Sequence, residues 1–299
     1  MLRTRVLTAL VLAPVILAVV LLGEPWLSLL IGIAAFLALV ELVGLLDAAG
    51  HQPPQVLTII GGLALVAAGL VTTNGASVGG MVAYLVDALD PPGLVAATMI
   101  AVILLLAIVA FTRADPRTGF MTWAATSFGI AYVGLLLPAI AVVAHLAPAG
   151  GSAASPVGAF GISSGVAWAL MLVLVVWGYD TGAYLTGRWL GRTRMIDHIS
   201  PSKTMEGLAG GLILGTLGAG VGAFLVGLEP WHPLVIGPLV GLAAQAGDLA
   251  ESMLKRAADR KESGFLVPGH GGILDRVDSF LFAAPVLAGY ALLAAGRVT

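Results

Sequence analysis

Two stretches of this 299-residue chain hold most of its chemistry. One runs from Gly247 to Ser279, GDLAESMLKRAADRKESGFLVPGHGGILDRVDS. It sets Asp248, Glu251, Asp259, Glu262, Asp275 and Asp278 against Lys255, Arg256, Arg260, Lys261 and Arg276. Beside them lies a glycine-rich turn of Pro268, Gly269, His270, Gly271 and Gly272. Carboxylates hold a hard divalent cation, Lys and Arg neutralise phosphate oxygens, and glycines let backbone N–H groups approach an anion. A metal–polyphosphate site needs this mixture. Asp275 and Asp278 stand about one helical turn apart, on one face of a helix that starts there. Asp248 and Ser252 share a face of the preceding helix, and Glu251 and Lys255 have the spacing of a helix-surface ion pair. Asp248 has only Ala244 and Gln245 one turn before it, and an intramembrane carboxylate marks a functional site. Asp248, Asp275 and Asp278 are therefore the expected metal ligands. Mg²⁺ is the expected cation, alone or with a second, keeping several waters and taking phosphate oxygens as further ligands.

The second stretch runs from Trp177 to Gly207, WGYDTGAYLTGRWLGRTRMIDHISPSKTMEG. Asp180 lies near the inner end of an apolar run, and Arg188, Arg192 and Arg194 follow it. Ser200, Lys203, Thr204 and Glu206 then open the next run. Ser200 or Ser202 is expected to cap that helix, with Lys203 at its mouth and Glu206 in its first turn. A helix N-terminus with a lysine and hydroxyls suits phosphate; the plain alternative is an ordinary capped loop. His270 is open to three roles: metal ligand, general base or turn residue. Imidazole suits Mg²⁺ poorly, so its flanking glycines point to a substrate-contacting turn. Glu41 sits inside an apolar run, where it either pairs with a polar group of the bundle or faces a wet cavity.

The elements that must position these groups are membrane helices. Hydrophobic residues make up 59% of the chain and charged ones 10%, against about 25% charged in soluble domains. Mean hydropathy is +1.03. A span needs about 20 apolar residues. Nine runs qualify: Val6–Leu22, Trp26–Leu46, Val56–Thr73, Gly93–Phe111, Thr122–Leu146, Gly165–Tyr184, Met205–Val226, Leu234–Met253 and Phe280–Ala295. The fold expected is an all-α polytopic membrane protein. Five spans occupy residues 1–146, a small-residue outer loop fills 147–164, and four spans with the active-site loops fill 165–299. Gly79–Leu89 is too short to span and fits an interfacial position. With the N-terminus cytoplasmic, every basic residue except Arg297 falls inside, thirteen of the 14, as the positive-inside rule requires. The first run follows Arg3 and Arg5 without a small-residue cleavage site, so it is expected to stay as a helix. With no cysteine, disulfides and thiolate metal sites are excluded.

The chain resembles the phosphatidate cytidylyltransferases (CDP-diacylglycerol synthases). The resemblance rests on Ser252-Met-Leu-Lys255-Arg256, Lys261 and the run from Pro268 to Asp278. It extends to the Asp180-Thr-Gly-Ala-Tyr184 and Ser200-to-Gly207 segments. Glu262 stands where the family usually has Asp, and Val267 where a larger apolar residue is usual. Over the first half only the hydropathy is shared. The resemblance implies transfer of a cytidylyl group from CTP to phosphatidate, giving CDP-diacylglycerol and pyrophosphate for phospholipid synthesis in the cell membrane. The resemblance implies a homodimer, the positive-inside topology puts the chemistry on the cytoplasmic face, and no nucleic-acid partner is expected. Asp248, Asp275, Asp278, Lys255 and Arg256 would then be catalytic. Ser200, Lys203, Thr204, Asp180, Arg188, Ser252, Lys261, His270, Gly271, Gly272 and Arg276 would bind substrate. Rival readings are a CTP-dependent polyprenol kinase, which shares part of the glycine pattern, and a secondary transporter with intramembrane carboxylates. The sequence has no Walker A loop, no Gly-x-Gly-x-x-Gly unit and no Asp-rich pattern of CDP-alcohol phosphatidyltransferases.

Overall fold

The computed structural model describes residues 2–74, 81–146, 163–266 and 271–294. Among these residues ten helices follow one another: α1 (Leu2–Leu22), α2 (Trp26–Ala48), α3 (Gln55–Asn74), α4 (Met81–Phe111), α5 (Pro116–Gly134), α6 (Ala139–Ala144), α7 (Ser164–Leu190), α8 (Met205–Val226), α9 (Pro233–Ala257) and α10 (Leu274–Ala294). One antiparallel hairpin, β1 (Arg194–Ile196) with β2 (Ser200–Thr204), joins α7 to α8. Among the described residues eight helical segments are long and apolar enough to cross a membrane. They match eight of the nine expected spans. The ninth, α1, is helical over 21 residues, with an apolar described stretch of Leu10–Leu22. Large apolar side chains such as Ile60, Phe111, Leu217 and Phe224 stand on the outside, an arrangement stable only against lipid. The chain is an integral membrane protein.

Three boundaries depart from expectation, each for a local reason. Helical structure in α4 begins at Met81, covering most of the segment assigned to the interface, and breaks at Asp90. Asp90 precedes Pro91, which disfavours the α conformation, and its carboxylate accepts the Gly93 N–H at 2.8 Å to restart the helix. The fifth span divides into α5 and α6 around Pro138, which has no N–H to give. Helix α7 continues past Tyr184 to Leu190, carrying Arg188 into its last turn.

The described chain divides into two compact units. The first comprises Met1–Ala9, Leu27–Ala141 and Leu254–Val277. Its core joins α3, α4 and α5 through Leu65, Val102, Leu106 and Ile130. Helix α2 packs there by seating Leu39 against Gly62 and Leu42 against Gly129. Lipid tails are as apolar as leucine, so small residues that admit close packing do what hydrophobic burial does in water. The second unit comprises Leu10–Trp26, Val142–Met253 and Asp278–Thr299. Here Gly182 and Gly210 bring α7 and α8 into backbone contact, and Gly211 lies flat against the Tyr179 ring. The buried Tyr179 hydroxyl donates to Gln245 Oε1 at 2.7 Å, tying α7 to α9.

Candidate active site

In the second unit the hairpin and three helix ends gather the polar groups. Thr204, not Ser200 or Ser202, caps α8, because the helix starts at Met205, directly after Thr204, whose Oγ1 accepts the Gly207 N–H at 3.1 Å. Glu206 in the first turn accepts the Arg192 N–H at 3.0 Å and the Thr193 N–H at 3.2 Å. This closes the loop that carries the basic residues. Lys203, on the edge of β2, reaches across to α9 and pairs with Asp248 Oδ2 at 2.6 Å. The cation that is lacking one turn before Asp248 in sequence thus comes from a different element.

Asp248, Glu251 and Asp278 form one cluster, with a carboxylate oxygen from each within 4.8 Å of the others. Asp248 is half-buried, Asp278 is buried and Glu251 has no exposed surface. Ser252 Oγ approaches Asp248 Oδ1 at 3.4 Å. Three carboxylates this close repel each other strongly in a low-dielectric setting and need positive charge among them. An all-oxygen anionic donor set fits a hard cation such as Mg²⁺ and offers nothing to a soft one. Glu251 is the member that was not among the expected metal ligands. It is completely buried and so does not stand on an exposed helix surface. The signal was nonetheless available, since Asp248 and Glu251 are three residues apart and share a helix face.

In the first unit Asp275 has a different set of contacts from those expected. Lys255 Nζ donates to its Oδ1 at 2.5 Å. Its Oδ2 accepts the Ser263 N–H at 2.9 Å, the Ser263 hydroxyl at 2.7 Å and the Gly272 N–H at 2.8 Å. Each oxygen is thus engaged within the protein, and the carboxylate ties the loop before α10 to its first turn. Gly271 holds φ at +78°, a conformation that glycine adopts without strain. Glu41 of α2 enters the same loop. Its Oε1 accepts the Ile273 N–H at 2.9 Å and its Oε2 the Leu274 N–H at 2.8 Å, and Oε2 lies 3.0 Å from the Ser263 hydroxyl, whose one proton it shares with Asp275 Oδ2. Sequence reading left this residue's role open.

The remaining expected site residues are more dispersed. Arg256 is exposed and donates to the Arg260 carbonyl at 3.1 Å. Lys261 and Arg276 are exposed at the loop. Asp180 is exposed on α7, and Arg188 donates to the Tyr184 hydroxyl at 2.7 Å. His270 lies outside the described residues.

A family model described as "Cytidylyltransferase family" matches residues 3–294 of this chain. The chain belongs to that family. Its curated relatives include phosphatidate cytidylyltransferases of Synechocystis sp. (43% identical over 136 residues), Bacillus subtilis (44% over 132) and Staphylococcus haemolyticus (46% over 127). These alignments cover 44%, 44% and 42% of this chain and 45%, 48% and 49% of the relatives respectively. The chain therefore spans about half the length of the curated relatives it matches.

Proposed function

We propose that this protein transfers the cytidylyl group of CTP to phosphatidate, releasing pyrophosphate and leaving CDP-diacylglycerol in the membrane. The observation that carries the reading is the cluster of Asp248, Glu251 and Asp278 with Lys203, set in a chain of the cytidylyltransferase family. The names of its relatives supply the substrates. Phosphatidate is already anionic, so its phosphate oxygen needs no strong general base. It attacks the α-phosphorus of CTP in line. One P–O bond forms there, the P–O bond to the β-phosphate breaks, and pyrophosphate leaves with the electron pair. The protein's part is to position and to neutralise charge.

Asp248, Glu251 and Asp278 would hold a divalent cation, which supplies charge neutralisation on the triphosphate. Asp275 is read instead as a loop organiser, because it bonds Lys255, Ser263 and Gly272 and is not one of the three clustered carboxylates. Lys203 leaves Asp248 to meet a phosphate oxygen, with the Ser200–Thr204 strand beside it. Lys255, Arg256, Lys261 and Arg276 neutralise triphosphate or phosphatidate charge, and Ser252, Asp180, Arg188 and the Gly271–Gly272 turn line the approach. The site faces the cytoplasm, and the working enzyme is a homodimer. The test is pyrophosphate release by purified protein in detergent–lipid micelles, with CTP, Mg²⁺ and phosphatidate each omitted in turn. Release that requires all three, with CDP-diacylglycerol formed, is the expected result. CDP formed with a polyprenol would make the protein a kinase, and no nucleotide turnover by a folded sample would sink both readings.

A further inference from the structure

Helix α10 begins without a cap of its own. The residue before its first turn is Ile273, whose side chain has no oxygen to accept the first N–H groups. Unsatisfied N–H groups at a buried helix start are costly, and a Ser, Thr, Asp or Asn normally removes that cost. Here the acceptor comes from another helix. Glu41, only 6% exposed, takes the Ile273 and Leu274 N–H groups on separate oxygens. Its Oε2 also meets the Ser263 hydroxyl, which in turn meets Asp275 Oδ2. Asp275 holds Lys255. The order Glu41–Ser263–Asp275–Lys255 is therefore one continuous polar chain, starting in α2 and ending on a lysine of α9. Two glycines make room for it. A Cβ on Gly264 would lie 2.5 Å from Glu41 Oε1, and one on Gly272 would collide with Glu41 Oε2 and the Ser263 hydroxyl.

We infer that Glu41 is a positioning residue for the reaction: it caps α10 from α2 and, through Ser263 and Asp275, sets where Lys255 and the Gly271–Gly272 turn stand. The inference rests on the proposed cytidylyl transfer for its kinetic consequence and on geometry alone for the tie itself. A carboxylate is required because both oxygens act as acceptors. Glu41→Gln keeps the shape but turns an NH₂ toward one of the donors.

The experiment compares wild type, Glu41→Gln, Glu41→Asp and Ser263→Ala as full-length protein in phosphatidate-containing micelles. It reads kcat and KM for CTP per folded molecule, and hydrogen exchange at the Ile273 and Leu274 amides. For Glu41→Gln the expected result is faster exchange at both amides, a raised KM for CTP and kcat lower by about 10²-fold, the scale of a misplacement near 1 Å. Glu41→Asp should recover part of both readouts. Ser263→Ala, which leaves both backbone bonds in place, should keep Leu274 protected and raise KM about tenfold, in the range for a supporting hydrogen bond. Wild-type kinetics in Glu41→Gln would overturn the inference, as would a loss that follows only the folded fraction while KM and exchange stay unchanged. Should Glu41→Gln fail to fold, unchanged kinetics in Ser263→Ala would overturn it equally. If wild type itself turns over no CTP, the proposed reaction fails, and amide protection still decides whether Glu41 makes the tie.

Discussion

Lys203 and Glu251 act on the same acidic cluster with opposite sign, which gives a sharp test at the scale of single residues. Lys203 puts a positive charge against Asp248 at 2.6 Å, so it competes with any cation bound there. Lys203→Ala should leave the cluster more anionic. The Mg²⁺ concentration for half-maximal rate should fall or hold steady, while kcat drops by about 10²–10³-fold as a phosphate-neutralising group is lost. Glu251→Gln removes one of three anionic donors and should raise the Mg²⁺ requirement. Mg²⁺ titrations of pyrophosphate release distinguish the two, and parallel shifts in both variants would contradict the assigned roles. At this scale the sequence singled out candidate residues but not which of them touch. Asp248 and Asp278 were legible because charge in an apolar chain is conspicuous and the motif is dense. The ties of Asp275 were not legible, because Ser263 and Gly272 look like ordinary loop residues until the turn has closed on them.

Between elements, the glycines decide how closely the polar helix ends approach. A Cβ at Gly247 of α9 would strike the Asp278 carbonyl of α10. Gly247→Ala should thus force apart the two helices that bring Asp248 and Asp278 together, costing about 1–3 kcal/mol as overpacking does. Thermal unfolding in detergent would register the loss, and Mg²⁺ affinity should weaken with it. Gly220 meets nothing within 4 Å, so Gly220→Ala is the matched control and should cost nothing. Helix existence was readable from hydropathy throughout, since about 20 apolar residues have few other fates. The exceptions were local. Pro138 split one span, Asp90 punctuated another, and the β1–β2 hairpin replaced an expected cap. Short polar segments such as Arg194–Thr204 have no periodicity strong enough to declare a strand.

For the molecule as a whole, orientation follows from charge. A chain without cysteine accepts single reporters without background, so His198→Cys and Pro230→Cys, both at exposed positions, can be labelled in intact cells. A membrane-impermeant maleimide should modify Pro230→Cys from outside and reach His198→Cys only after the membrane is opened. The reverse pattern would invert the topology. The spans were legible because each is a run of about 20 apolar residues; their sidedness is what the labelling decides. The division into two units was not legible, since each unit is assembled from segments far apart in sequence. That discontinuity bears on how the protein is made. Glu41 leaves the ribosome 222 residues before Ser263 and 232 before Ile273, and at about 5–20 residues per second the wait is roughly 10–45 s. Throughout that interval a carboxylate in the second helix lacks the Ser263, Ile273 and Leu274 donors, even after α3 to α5 have been synthesised. The first five spans therefore emerge before the contacts of Glu41 can form. The contacts of Glu41 are completed only when the last loop, between α9 and α10, has been made.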